Sequence, residues 1–286
     1  MVKKRLCIAI PASVVSDVPH LREKTSRLGL IGRAAAIFRV GEIVIFQDNP
    51  HNVQKSETDL VCILLRYLET PQYLRKRLFK LNPDLQYAGI LPPLRTPHHP
   101  LSRRTKELRL GEFREAVVLS TLDKQALVDI GVEQPALIRA RSVAVGKRVT
   151  VKVIKAGKAL EVELTGRDEA PSYWGYTVTV EKRPFGSFVK NRDFDLTIAT
   201  SKYGSPLADV DREIFEKWKE ASSVLVAFGA PTQGLREIVG REGRQLNELV
   251  DFVVNMVPMQ GTETVRTEEA VIASLAVFNI LHTSKT

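Results

Sequence analysis

Four prolines, Pro92, Pro93, Pro97 and Pro100, fall between Leu91 and Ser102, and neither a helix interior nor a central strand can run through such a stretch. On its N-terminal side the chain alternates strands and helices. Leu6 to Ile10 is an apolar strand, Pro19 to Phe38 carries Leu21, Leu28, Ile31, Ala35 and Phe38 near helical spacing, and Glu42 to Phe46 is a second strand. That is a β-α-β unit, the building block of a parallel sheet. Asp59 to Tyr67 and Pro71 to Phe79 follow as helices, the second opening on a proline suited to a first turn.

Beyond the prolines the pattern turns to short strands: Ala116 to Leu119, Pro135 to Ala140, Arg148 to Ile154 and Leu160 to Leu164. The last two flank a hairpin turn, Lys155-Ala-Gly-Lys158, and Val149, Val151 and Val153 alternate with polar neighbours. From Tyr173 the α/β character resumes, with a strand over Asp195 to Thr200 and a helix over Asp211 to Ala221. The first α/β piece has no complete core of its own. The fold class is therefore α/β: one parallel-sheet domain made of residues 1–92 and 173–286, interrupted over residues 93–172 by a small all-β unit. A five-stranded OB-like barrel is the most economical fold for that insertion.

With 42 Lys and Arg against 33 Asp and Glu, the net charge of +9 suits a polyanionic partner but says nothing of fold. Arg95, Arg103, Arg104, Lys106, Arg109 and Arg114 face only Glu107 and Glu112 at the start of the insertion. Arg22, Lys24, Arg27 and Arg33 sit on the first helix, and Tyr73, Arg75, Lys76 and Arg77 interleave an aromatic with charge. These residue types neutralise phosphate and stack bases, so they are the candidate RNA contacts, although a charge run is also the ordinary make-up of a solvated face. No apolar run approaches the length of a membrane span. Cys7 and Cys62 each sit in an apolar run and read as buried, reduced thiols of a cytoplasmic protein.

The last third carries the candidate site. Val224 to Phe228 and Phe252 to Val257 are strand-like, and each passes directly into a loop of Gly, Pro and small polar residues, Gly229 to Gly234 and Pro258 to Thr262. The strand ending at Thr200 adds a third loop, Ser201-Lys-Tyr-Gly204. One such loop alone would be an ordinary tight turn; three after three strands of one sheet predict a ligand crevice, because ligands of open α/β sheets collect beyond the carboxyl ends of the strands. Neither Gly-x-Gly-x-x-Gly nor a P-loop occurs, and there is no Gly-x-Ser-x-Gly elbow, so the common nucleotide cradles and serine-hydrolase chemistry are unsupported. His98-His99, between prolines, has no partner at metal-ligand spacing and reads as a polar turn. No metal is expected. Thr267 is a candidate N-cap for a final helix, apolar nearly all round to Leu281, that must be buried on several sides by its own domain or by a second subunit.

Val224-Leu-Val-Ala-Phe-Gly-Ala-Pro-Thr-Gln-Gly-Leu235 and Asn255-Met-Val-Pro-Met-Gln-Gly-Thr-Glu-Thr-Val-Arg-Thr-Glu-Glu-Ala270 resemble the C-terminal motifs of the SPOUT RNA methyltransferases. With Ile10-Pro-Ala-Ser13, the Leu28 to Ile37 stretch and Tyr173-Trp-Gly-Tyr176, the resemblance narrows to their archaeal and eukaryotic group with a barrel inserted in the knot domain. It implies a deep trefoil knot, an obligate homodimer and S-adenosylmethionine as cofactor. It also implies the cofactor residues: Thr200 and Ser201; Phe228, Gly229, Ala230 and Gly234; Asn255, Val257, Pro258, Gln260, Gly261, Thr264 and Val265. Eukaryotic members are associated with uridine N3 methylation in ribosomal RNA. On that chemistry Arg266 is the candidate to hold the base carbonyls and Glu268 or Glu263 the candidate proton acceptor, an interface salt bridge being the other reading of Arg266. The alternative function is a non-catalytic RNA-binding or ribosome-assembly factor that keeps the knot as a scaffold.

Overall fold

A computed structural model describes residues 4–49, 54–123, 125–139, 143–157 and 159–283, the last three by backbone alone. In chain order the first elements are β1 (Arg5–Pro11), α1 (Leu21–Ile37), β2 (Glu42–Gln47), α2 (Lys55–Glu69) and α3 (Gln72–Leu78). Then come β3 (Phe113–Leu122), β4 (Gln125–Asp129), β5 (Ala136–Ile138), β6 (Arg148–Lys155) and β7 (Glu161–Thr165). The chain continues with β8 (Thr177–Pro184), α4 (Phe185–Asn191), β9 (Leu196–Pro206), α5 (Leu207–Glu220) and β10 (Ser223–Ala227). Last are α6 (Leu235–Gly240), β11 (Phe252–Asn255) and α7 (Thr267–Thr283). Contacts divide the chain into two compact units: Met1–Arg66, Asp84–Pro92 and Tyr176–Thr286 form the first, Tyr67–Pro83 and Pro93–Gly175 the second.

The first unit is built on a six-stranded sheet ordered β11-β9-β10-β1-β2-β8, every neighbouring pair parallel. Its central strands are apolar without alternation because both faces are covered. Cys7, Val44, Phe46 and Leu225 point to one face and pack with Phe185, Phe188, Leu235 and Ile238 of α4 and α6. The alternate residues, among them Ile8, Ile43, Ile45 and Val226, are equally buried and point the other way. The final helix α7 packs on α1 and α5: Val271, Leu275 and Phe278 are buried, and the Phe278 ring stacks on Trp218 at 5.2 Å. Its burial is one-sided in this chain, since Ile272 and Ile280 stay 40% and 59% exposed.

Two local features depart from the sequence reading. The segment Ser201 to Gly204 is not a free loop, because β9 runs on to Pro206. Its pairing with β11 jumps from Ala199↔Val253 to Ser205↔Val254, so residues 200–204 bow out of the ladder and return to it. Thr267 does not cap α7 with its side chain. The Arg266 carbonyl accepts the first helical bond, from Ala270 N–H at 2.8 Å, and the Glu269 carboxylate reaches back to Arg266 N–H at 2.9 Å.

The second unit is a closed barrel in the order β3-β4-β5-β7-β6, antiparallel except for the β5–β7 pair. Its interior is Val118, Val128, Ile130, Ile138, Val151, Val153 and Val162. The expected strand to Ala140 ends at Ile138, and Ala140 and Lys158 of the expected hairpin turn lie outside the described residues. The α3 helix belongs to this unit through Tyr73, whose hydroxyl donates to the Glu115 carbonyl at 2.8 Å and whose ring lies against Gly131. Only glycine fits there, since its φ is +84° and a Cβ would come within 2.5 Å of the ring.

Beside the barrel core runs a buried polar network. Arg148 donates to Glu69 at 2.6 Å and to Glu115, Arg167 donates to Glu69 at 2.9 Å, and Trp174 Nε1 donates to Glu115 at 2.6 Å. The histidines expected in a polar turn are part of it: His98 is fully buried, and both rings bond the Glu69 carbonyl. Arg114 is likewise removed from the surface. Its side chain is fully buried, bonding Glu112, Ser102 and the Ile130 carbonyl, so it offers no charge to a phosphate.

Candidate active site

Because β11, β9 and β10 are neighbours in the sheet, the segments at their C-terminal ends meet at one edge and enclose a cavity of about 250 Å³. Each wall is held by its own hydrogen bonds. Thr200 Oγ1 donates to the Ala227 carbonyl at 3.1 Å, securing the start of the bowed segment. Asn255 Nδ2 donates to the Lys202 carbonyl at 3.0 Å while its Oδ1 accepts Val257 N–H at 3.0 Å, so one amide fixes two of the three walls. In the loop after β10, Ala230 N–H donates to the Gln233 carbonyl at 2.9 Å, and the Glu237 carboxylate accepts Gly234 N–H at 2.7 Å. Gly229 is hemmed in by backbone, with a Cβ there 3.1 Å from Gly234 Cα. Thr267 Oγ1 donates to the Gly229 carbonyl at 3.0 Å, tying α7 to that loop.

Behind the loop sits Asp48, a carboxylate only 1% exposed. It accepts bonds from Ser13 Oγ at 2.5 Å, Ser13 N–H at 3.2 Å, Gln54 Nε2 at 3.1 Å and Gln233 Nε2 at 3.1 Å. One buried acceptor thus joins the segments following β1, β2 and β10, a fully occupied arrangement that rigidifies the edge.

Of the expected cofactor residues, Thr200, Ser201, Phe228, Gly229, Ala230, Gly234, Asn255, Val257, Gln260, Thr264 and Val265 line the cavity; Pro258 and Gly261 do not. The lining adds Lys202, Tyr203 and Gln233 from the expected loops and Thr267, together with Arg236, Glu237 and Ser274, which the sequence reading did not single out. Ser274 is fully buried and its Oγ has no hydrogen-bond partner among the described residues, as has Gln233 Oε1. Small residues, exposed backbone groups and these unmatched polar atoms fit a nucleoside-bearing ligand better than an apolar one. Among the described residues no cluster of three His, Cys, Asp or Glu stands where a metal could be held. Thr267→Val should weaken ligand binding at the cavity about fivefold, the worth of one hydrogen bond of roughly 1 kcal/mol, as calorimetry can measure.

The residues expected to act on the base do not line this cavity. Arg266 and Glu263 are exposed and outside the cavity lining. Glu268 is buried at 3% exposure, 3.5 Å from Arg27 Nε. Burial raises the Glu268 pKa. Burial also opposes the charge of Arg27, but hydrogen bonds to Asp17 and Glu23 hold its pKa above the ordinary value. Arg27 is therefore an internal cation rather than a phosphate contact: its side chain is 8% exposed and spans Asp17, Glu23 and Glu268. Arg22 is exposed and Lys24 and Arg33 partly so on α1, whereas Arg95, Arg103, Arg104, Lys106 and Arg109 are exposed in the barrel unit. A larger groove of about 700 Å³, lined by His20, Arg22, Glu23 and Tyr87 among others, is formed by α1 and residues 86–90. It is an open surface of solvated side chains, whereas three strand ends enclose the smaller cavity, so the latter is the candidate site.

A sequence model of the family described as "Putative RNA methyltransferase" matches residues 5–278, and the chain belongs to that family. Among its relatives, a mouse protein named 28S rRNA (uridine-N(3))-methyltransferase is 35% identical over 95% of this chain and 75% of its own length. The human protein of the same name is 33% identical over 95% of this chain and 77% of its own. An uncharacterised Halobacterium salinarum protein is 33% identical over 94% of this chain and 96% of its own length.

Proposed function

We propose that the chain is an S-adenosylmethionine-dependent enzyme that methylates N3 of a uridine in ribosomal RNA. The observation that carries this reading is the cavity at the ends of β9, β10 and β11, where sixteen of the twenty-two lining residues are small or polar. The names of the mouse and human relatives supply the substrate atom. The Gly229 to Gly234 loop, Asn255, Val257 and Ser274 would hold the cofactor, which brings an electrophilic methyl group to the edge of the sheet. The cavity walls are complete, which favours an enzyme over a scaffold that has lost its ligand.

The parallel sheet with its crossover strand order, and α7 tied back to Gly229, suit the knotted domain of SPOUT enzymes. The barrel, with first strand beside second and fourth, and third beside fifth, suits an OB-type insertion over residues 93–172, whose Arg103, Arg104, Lys106 and Arg109 would grasp phosphates. Exposed Leu30 and Ile37 on α1 with Ile272 and Ile280 on α7 favour a homodimer, each subunit covering the other's apolar face. No helix among the described residues is long and apolar enough to cross a membrane, and we place the enzyme in the cytoplasm. Calorimetry with S-adenosylmethionine, joined to mapping of methylated nucleotides in ribosomal RNA from cells with and without the protein, tests the reading. Absence of binding by folded protein, with an unchanged methylation map, would overturn it.

A further inference from the structure

We infer that Glu237 is the proton acceptor of the methyl transfer and that the target base sits in a second cavity beside it. This cavity, of about 400 Å³, is an open depression lined by Asn49, Thr232, Gln233, Glu237 and Arg241, of which Thr232, Glu237 and Arg241 are exposed. It shares Thr232, Gln233 and Glu237 with the cofactor cavity, so the two adjoin along these residues, and a base placed in it would approach the methyl donor there. The chemistry of its rim matches an imide. A cation, Arg241, supplies donors for a carbonyl oxygen, where negative charge develops as the ring nitrogen loses its proton. Glu237 is the one carboxylate lining either cavity among the described residues. Its Oε2 is occupied by Gly234 N–H at 2.7 Å, and its Oε1 accepts no bond among them. The other charged groups lining the two cavities are Arg241 in the same one and Lys202 and Arg236 in the neighbouring one, all cations.

The inference rests on the uridine N3 reading. In the step, the N3 electron pair forms the new bond to the methyl carbon, the carbon–sulfur bond breaks with its pair left on sulfur, and the N3 proton passes to Glu237 Oε1. One carboxylate charge and one sulfonium charge disappear together. Glu263 and Glu268 do not line either cavity and are replaced in this role.

Glu237 also caps α6, so the test must separate proton transfer from capping. Glu237→Gln keeps an oxygen for Gly234 N–H but accepts no proton. The variant should bind S-adenosylmethionine by calorimetry as the parent does. Its methyl transfer to ribosomal RNA should fall about a hundredfold or more at pH 7. Its residual rate should climb about tenfold per pH unit, as hydroxide removes the N3 proton, where the parent levels off. Arg241→Gln should lower the rate about tenfold or more with cofactor affinity intact. Parent-like rates and pH profile in Glu237→Gln, or loss of cofactor binding, would overturn the inference while leaving the N3 reading in place. A parent enzyme that methylates another atom would overturn both.

Discussion

Glu69→Gln is expected to destabilise the barrel unit by about 3–5 kcal/mol, the cost of removing one partner from a buried ion network. Glu69 is 4% exposed and takes Arg148 at 2.6 Å and Arg167 at 2.9 Å, with His98 at 3.3 Å. Burial alone would push its pKa up, but Arg148, His98 and Arg167 hold it down at about 2. A neutral amide leaves Glu115 as the one carboxylate paired with Arg148 among the described residues, and Arg167 with the Trp174 carbonyl. The same network sets an acid limit. Burial, helped by His98, lowers the His99 pKa to about 4. A group with a depressed folded pKa stabilises above its unfolded value and loses that contribution as pH falls through the folded one. The barrel should therefore weaken first between about pH 6.5 and 4, through His99, and then from about pH 4.5 towards 2, through Glu69. Hydrogen exchange in β3 and β6 across a denaturant series reads both effects. A loss under 1 kcal/mol in Glu69→Gln would show the network to be dispensable.

What could be read from sequence followed from where each side chain's partners lie. Strands β1, β2 and β10 announce themselves as apolar runs because parallel strands are buried on both faces, and the valine alternation of β6 follows from a barrel wall with one wet side. The edge strand β8 does not, since its Thr177 to Val180 alternation runs into Glu181-Lys-Arg183, and α4 and α6 are too short for a helical period to show. Thr200 to Gly204 looks like a loop because the pairing that returns the chain to β11 depends on residues some fifty positions away. Charge alone placed Arg27 and Arg114 on the surface; Glu268, the acid beside Arg27, is at the other end of the chain. Most of the residues lining the cavity were named from the loops and from family likeness, yet Arg236 and Glu237 enter it only through the fold. For Glu237 a local signal existed, a Gly-x-x-Glu capping pattern directly after the loop.

Gly204→Ala should cost roughly 1–3 kcal/mol of stability and lower the affinity for the proposed cofactor about tenfold to a hundredfold. A Cβ at Gly204 would lie 2.6 Å from the Val253 carbonyl oxygen and 2.7 Å from the backbone of Val254. Those neighbours are main chain, so no rotamer change relieves the contact, and β11 must shift away from β9 where the ladder resumes at Ser205↔Val254. Asn255 follows Val254 directly, and its amide holds both the Lys202 carbonyl and Val257 N–H. The displacement therefore reaches two walls of the cavity although Gly204 itself does not line it. Gly261→Ala is the matched control, because a Cβ there meets nothing within 4 Å and the residue does not line the cavity. Calorimetry on the two variants should separate them. Equal, parent-like affinity in both would mean that the β9–β11 junction does not set the shape of the proposed cofactor's cavity.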